Sequence, residues 1–314
     1  MATPITSSSF AKALWPGVNA WYGKAYDEYP VEYQMLFDTE SSNRAYEEDV
    51  GVTSFGLAPV KPEGQSVSFD EERQAFITRY THVVYALGFI VTREIYEDDL
   101  YDVVAQRRAK GLAFSMRQTK EVVGANVYNR AFNASFVGGD GVSLLNSAHP
   151  NFAGGTQSNV LAVASDLSEA ALEQACIDIS KWTNDRGLRI NVIPECLVVP
   201  TDQQFEAERI LGSEYRTAAY MSATFAGSTD GNDINALYQM GKLPKGYKIN
   251  HYLTDVDAWF LRTNAPDGMK HFVRRGAEFT IDNDFDTENA KYKATERYSF
   301  GWTDWRGLFG TPGA

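Results

Sequence analysis

The chain has 314 residues, enough for one large domain or two ordinary ones, and 44% of them are hydrophobic against 22% charged, which excludes disorder as the main state. The formal net charge of −12 repels phosphate and so excludes tight wrapping of nucleic acid. Only Cys176 and Cys196 are available, both in apolar surroundings, which excludes a disulfide-built scaffold and predicts two small core residues.

In chain order, residues 1–48 read as an irregular arm. Ser7-Ser8-Ser9, Trp15-Pro16-Gly17 and Tyr29-Pro30 interrupt any long period, and Met1 to Phe10 lacks the basic start and apolar core of a signal peptide. The arm is nevertheless rich in rings (Trp15, Trp21, Tyr22, Tyr26, Tyr29, Tyr33, Phe37) that have to be buried on something.

Residues 50–92 read as a long hairpin. The outgoing strand is Val50 to Ala58, and Pro59-Val60-Lys61-Pro62-Glu63-Gly64 makes the turn. The return run carries Val67, Phe69, Phe76, Ile77, Tyr80, Val83, Val84 and Tyr85 around the charged stretch Asp70-Glu71-Glu72-Arg73. A two-stranded hairpin of this length is marginal alone and makes sense lying on a surface outside its own subunit. The longest strongly apolar run, Val83 to Val91, falls well short of the roughly 20 residues that a membrane-spanning helix needs.

The strongest helix follows. Thr92 opens an acidic first turn ending in Asp98-Asp99, and no proline occurs from Leu100 to Phe132. Tyr101, Ala105, Leu112, Met116, Val123 and Val127 fall on one face, and a helix over that length spans about 50 Å, a strut for an elongated subunit. A glycine-bracketed loop holds Leu144 to Pro150. Ser168 then caps a second helix, with Leu167 and Leu172 as its staple.

Residues 188–280 read as an α/β or α+β unit. Its parts are a buried strand Cys196 to Pro200, a Thr201–Gln204 capping box, a helix from Asp202 to Leu211, a Gly227 to Asp233 loop, and strands at Tyr247 to Leu253 and Ala258 to Leu261. The last segment alternates. Tyr292, Ala294, Tyr298, Phe300 and Trp302 face one way with Glu296 as the exception; Lys291, Lys293, Thr295, Arg297 and Ser299 face the other.

Catalytic and metal-binding patterns are weak. No two of His82, His149, His251 and His271 lie within five residues of each other, so helical metal-ligand spacing is missing. Ser147 and His149 lack a G-x-S-x-G elbow and read as part of a turn. Asp282 to Glu288 begins like a calcium loop, but Thr287 and Lys293 stand where glycine and glutamate are needed. The glycine stretches match no nucleotide-binding pattern. The expectation is no catalytic residue, no cofactor and no metal.

The order of these parts resembles the major capsid (head) proteins of tailed bacteriophages, with the Hong Kong 97-like α+β fold. Val91 to Leu100 is similar to the stretch entering the spine helix of Mu-type head subunits, and Leu145 to Pro150 to their segment ending in His-Pro. Pro194 to Pro200 is similar to their axial-domain strand, and Phe300 to Gly307 also resembles related head proteins. The resemblance implies an N-terminal arm at 1–48, an extended β-hairpin (E-loop) at 49–90, a peripheral domain with the spine helix at 91–187 and 276–314, and an axial domain at 188–275. It implies a non-enzymatic shell subunit forming hexamers and pentamers of an icosahedral head in the virion, assembled in the host cytoplasm and away from membranes. The expected partners are further copies of the chain, a separate scaffolding protein, a portal and a decoration protein, with DNA enclosed but not read. The expected intersubunit contacts are Trp15, Trp21 and Tyr22 on the arm and Lys61, Glu63, Glu71, Glu72 and Arg73 on the loop. An encapsulin-like compartment of the same fold and, from another class, a soluble hydrolase using His149 are the alternatives.

Overall fold

The computed structural model describes residues 11–97, 101–151, 154–215, 234–284 and 289–314. Contrary to the irregular arm expected, the described residues begin with α1 (Ala11–Glu28), Ser7-Ser8-Ser9 lying outside them. The helix runs through Pro16, which removes one backbone bond. Tertiary packing outweighs that loss: Tyr22 and Ala25, three residues apart on one face, are buried against the row Ala105, Ala109 and Ala113 of the long helix. The short α2 (Tyr33–Leu36) and β1 (Asp38–Ser41) complete the arm.

β2 (Tyr46–Val52) and β3 (Gln74–Thr81) form the hairpin, and β4 (Val83–Val91) leaves it for another sheet. The return run was expected to be one strand. His82 divides it, because its buried ring is held by Ser299 Oγ (3.0 Å) and Ser42 Oγ (3.1 Å). α3 (Arg93–Glu97) and the 29-residue α4 (Tyr101–Asn129) follow, α4 being about 44 Å long. On α4, Ala105, Leu112 and Met116 are buried as the spacing predicts, while Val123 and Val127 are half-buried.

The first four-stranded sheet has the order β1-β10-β11-β4, with β10 (Met269–Asn283) and β11 (Ala290–Trp302) as its long antiparallel centre. α1 and α4 cover one face of it. The predicted alternation of β11 holds over its first part, where Tyr292, Ala294 and Tyr298 are buried, and fails at its end, where Phe300 and Trp302 are half-buried and Ser299 is buried against the His82 ring. The exception, Glu296, is buried too, and Lys120 of α4 meets it at 3.3 Å. His271 of β10 stacks on Phe300 at 4.2 Å, with Thr39 Oγ1 on its Nδ1 at 3.2 Å. Burial, with Lys120 nearby, lowers its pKa to about 3.

After the small pair β5 (His149–Pro150) and β6 (Thr156–Gln157), α5 (Glu169–Ser180) begins with Ser168 Oγ accepting from the Ala171 amide at 3.2 Å. Leu167 and Leu172 share its core. The second four-stranded sheet has the order β12-β9-β7-β8: β7 (Pro194–Val199), β8 (Tyr247–Ile249), β9 (Trp259–Thr263) and β12 (Leu308–Thr311). β12 thus carries the chain's end back to the sheet of residues 194–263. α6 (Gln204–Gly212), entered through a 3₁₀ turn at Thr201–Gln203, and α7 (Ala236–Gln239) pack beside it. The expected Thr201–Gln204 capping box does not form. The 3₁₀ turn moves the helix start to Gln204, and the Thr201 hydroxyl bonds Asp202 at 3.4 Å instead. Cys176 and Cys196 are free and buried. The Gly227–Asp233 loop and residues 285–288 of the acidic turn lie outside the described residues; Asp284 pairs with Lys291 at 2.7 Å.

Two substitutions test these contacts in the isolated chain. Lys120→Met strands Glu296 in the interior and is expected to cost about 3 kcal/mol in denaturant unfolding, whereas the double replacement Lys120→Met/Glu296→Leu recovers most of that loss. His271 stays neutral in the fold but titrates near pH 6.5 when unfolded. Its contribution is full above pH 6.5 and declines toward pH 3 at about 1.4 kcal/mol per unit. Between pH 6 and 4.5 the wild type should therefore lose about 2 kcal/mol more unfolding free energy than His271→Phe.

Candidate assembly interface

The hairpin leaves the body from a polar base. Asp49 Oδ2 of β2 accepts from Lys270 Nζ (2.7 Å) and from Thr303 Oγ1 (2.7 Å). Lys270 also meets Asp267 at 2.7 Å and Glu40 at 3.8 Å. Burial works against the lysine charge, but Asp267 and Asp49 more than offset it, so its pKa lies above the ordinary value. The Tyr80 and Thr303 hydroxyls bond at 2.6 Å on the same side. Two glycines let the body approach the hairpin. A Cβ on Gly139 would lie 2.6 Å from Thr78 Oγ1, and one on Gly301 would lie 2.8 Å from the Tyr80 ring.

Past the Val52–Gln74 pair the ladder stops. The Thr53 amide reaches the Arg73 carbonyl at 2.9 Å, the Gly56 amide reaches Asp70 at 2.8 Å, and the Gln65 amide closes a turn on Pro62 at 3.2 Å with Gly64 at φ +79°. Along these two limbs Phe55, Leu57, Val60, Val67 and Phe69 stand in solvent, with Leu57 82%, Val60 93% and Phe69 94% exposed. Isolated exposed apolar residues are ordinary, but a cluster on a segment with so little ladder makes this tip the candidate contact surface. Charge alone does not point to these residues. The alternation Ser66-Val67-Ser68-Phe69 is the sequence signal that could have found part of them.

Lys61, Glu63, Glu71, Glu72 and Arg73 all lie on this loop and are exposed, Glu71 pairing with Arg73 at 3.5 Å. The arm residues are elsewhere. Trp15 lies in α1 with its side chain outside the described residues, and Trp21 is half-buried against the core. Tyr22 is a core residue of its own subunit: it is buried, stacks on Phe279 at 4.9 Å, and is not free to meet a neighbour. The structure does not bring the arm and loop candidates together.

His149 does not face a nucleophile. Its ring nitrogens meet Asp140 (2.6 Å) and Asn159 (3.1 Å), and the ring stacks on Trp305 at 4.6 Å in full burial. Asn159 in turn donates to the carbonyls of Leu144, Trp305 and Leu308. The cluster fastens the chain's end to the His-Pro segment. Among the described residues no group of three or more His, Cys, Asp or Glu could hold a metal ion, and no helix is long and apolar enough to cross a membrane.

Comparison with known proteins agrees with this geometry. None of the curated proteins matches the chain. Its fold is similar to the virus-like particle from Pyrococcus furiosus (9% identity, 94% of this chain and 98% of that one, TM-score 0.53). It is also similar to the procapsid of bacteriophage JBD30 (15% identity, 99% and 76%, TM-score 0.51) and to the mature capsid of bacteriophage PhiM1 (9% identity, 90% and 87%, TM-score 0.52). A family model described as phage capsid protein matches residues 75–310, more than half of the sequence, and the chain belongs to that family.

Proposed function

We propose that this capsid subunit closes its lattice by laying the apolar hairpin tip on a neighbouring copy, in hexamers and pentamers of an icosahedral head. The observation that carries this reading is the exposure of Leu57, Val60 and Phe69 on a tip whose base is held by Asp49, Lys270 and Thr303. Magnitudes favour the apolar residues over the charged ones. Burying a leucine or phenylalanine side chain is worth about 1.5–3 kcal/mol, while an exposed ion pair is worth about 0–1 kcal/mol. Lys61, Glu63, Glu71, Glu72 and Arg73 then set register around an apolar contact.

In this reading the second four-stranded sheet with α6 and α7 forms the axial unit at the capsomer centre, and α4 and the first sheet form the peripheral one; the expected bounds of 188–275 and 276–314 shift, because β10 begins at Met269 in the first sheet and β12 joins the second. Trp21 and the arm seat beside a neighbour. A separate scaffolding protein, a portal and a decoration protein complete the particle, which is put together in the host cytoplasm. The chain acts by association and not by catalysis. Its net charge of −12 suits a wall that encloses DNA without gripping it.

Leu57→Ser/Phe69→Ser tests the reading. The variant subunit is expected to keep its thermal midpoint, because neither side chain is buried in the isolated fold, yet to yield no closed particles by size exclusion and negative-stain microscopy. Single alanine replacements at Lys61 or Glu63 should leave particles intact. Normal particles from the double variant would refute the proposal.

A further inference from the structure

Arg186 lies outside the hairpin, and no sequence pattern marks it. It sits in a stiff turn between α5 and β7. The Asn184 amide donates to the Leu188 carbonyl at 2.7 Å, and the Gly187 amide to the Asn184 carbonyl at 3.0 Å. Asn184 Oδ1 accepts from the amides of Arg186 (3.0 Å) and Leu188 (2.9 Å), and Gly187 takes φ +78°, a conformation glycine adopts without strain. The backbone beneath Arg186 is therefore fixed.

From that turn the guanidinium crosses to the hairpin. Nη2 lies 3.3 Å from Asp70 Oδ1 and donates to the Glu71 carbonyl at 2.8 Å. Asp70 is itself a crossing point: its Oδ2 accepts from the Gly56 amide of the opposite limb at 2.8 Å, and its Oδ1 accepts from the Glu71 amide at 2.9 Å. One arginine thus holds both limbs to the body. The exposed apolar residues Leu57, Val60, Val67 and Phe69 all lie on the tip side of the Gly56–Asp70 crossing.

We propose that Arg186 is a positioning residue for assembly, an intrasubunit clip that sets the direction in which the hairpin tip leaves the body before a neighbour is met. The proposal rests on the reading that the tip is the docking element. A projecting rod held only at its base swings, and much of its docking energy goes into ordering it; a second point of attachment supplies that order in advance. The first attachment is the Lys270–Asp49 base and the second is Arg186 on Asp70. The second pair is exposed and hence weak, so a neighbour's surface can displace or readjust it.

The test begins with the subunit at a concentration where size exclusion shows a monomer, so that any Arg186–Asp70 coupling is within one chain. Amide hydrogen exchange is read by mass spectrometry over residues 54–72. Arg186→Ala and Asp70→Asn are each expected to speed exchange there roughly two- to fivefold, with no change in α4 or β11. The double variant should add nothing further, and Arg186→Lys should recover part of the protection. Under conditions where the wild type forms shells, Arg186→Ala should raise the threshold concentration for shell formation roughly two- to fivefold. Unchanged exchange in Arg186→Ala, or additive effects in the double variant, would overturn the clip. Faster exchange with an unchanged threshold would overturn its role in assembly. Failure of the underlying docking reading shows separately, as normal particles from Leu57→Ser/Phe69→Ser.

Discussion

Lys270 fixes where the reaching part of this subunit begins. A flexible hairpin carrying several solvent-exposed apolar side chains would ordinarily collapse onto the nearest apolar surface of its own chain. Here its root is tied down by directional bonds. Lys270 binds Asp49 of the hairpin and Asp267 of the body at 2.7 Å each, Thr303 shares Asp49, and Tyr80 shares Thr303. A buried lysine among carboxylates is costly to disconnect, because any lost partner leaves a charge in a poorly solvated place. His82, held between Ser42 and Ser299, then turns the chain from hairpin to sheet. Fixed root and exposed tip are two consequences of one arrangement.

The same logic holds the body together. α4 is more than an apolar strut. Its middle turns bury Arg117, Lys120 and Glu121, and each grips a different piece of the chain. Arg117 donates to the Tyr26 carbonyl at 3.0 Å and lies 4.0 Å over the Tyr26 ring. Lys120 meets Glu296 of β11, and Glu121 accepts from the amides of Glu32 and Tyr33 at 3.1 and 2.8 Å. Glu32 continues the chain of contacts to the amide and ring of His251 at 2.9 and 2.6 Å. The arm, the first sheet and the segment after β8 therefore share one helix as their reference. That arrangement suits a subunit that must present its outer features at fixed angles to its copies.

Much of this was legible from local pattern. The proline-free run that became α4, the alternation of β11, the Ser168 cap and the central strand β7 are all set by near neighbours in sequence. The departures have long-range causes. Pro16 and Gly17 suggest a broken arm, but Tyr22 and Ala25 find a row of alanines about 80 residues away and helix wins. Glu296 breaks an apolar alternation because its partner Lys120 is 176 residues distant. The hairpin return looked continuous because nothing local shows that His82 is clamped by Ser42 and Ser299. Charge and ring content point partly at the core, as Tyr22 shows, while the most exposed apolar positions sit in runs that read as strand, at Leu57, Val67 and Phe69, or as turn, at Val60. Pattern reveals which residues favour a strand; it does not reveal that the strand lacks a partner.

The central claim is that the apolar tip at residues 53–73 has its partner on another copy of the chain. Electron cryomicroscopy of particles assembled from the expressed chain measures this most directly. The account predicts closed shells in which Leu57, Val60 and Phe69 are buried against a neighbouring subunit while the Lys270–Asp49 base keeps its geometry. Shells in which the tip remains in solvent, or packs on the body of its own subunit, would contradict it.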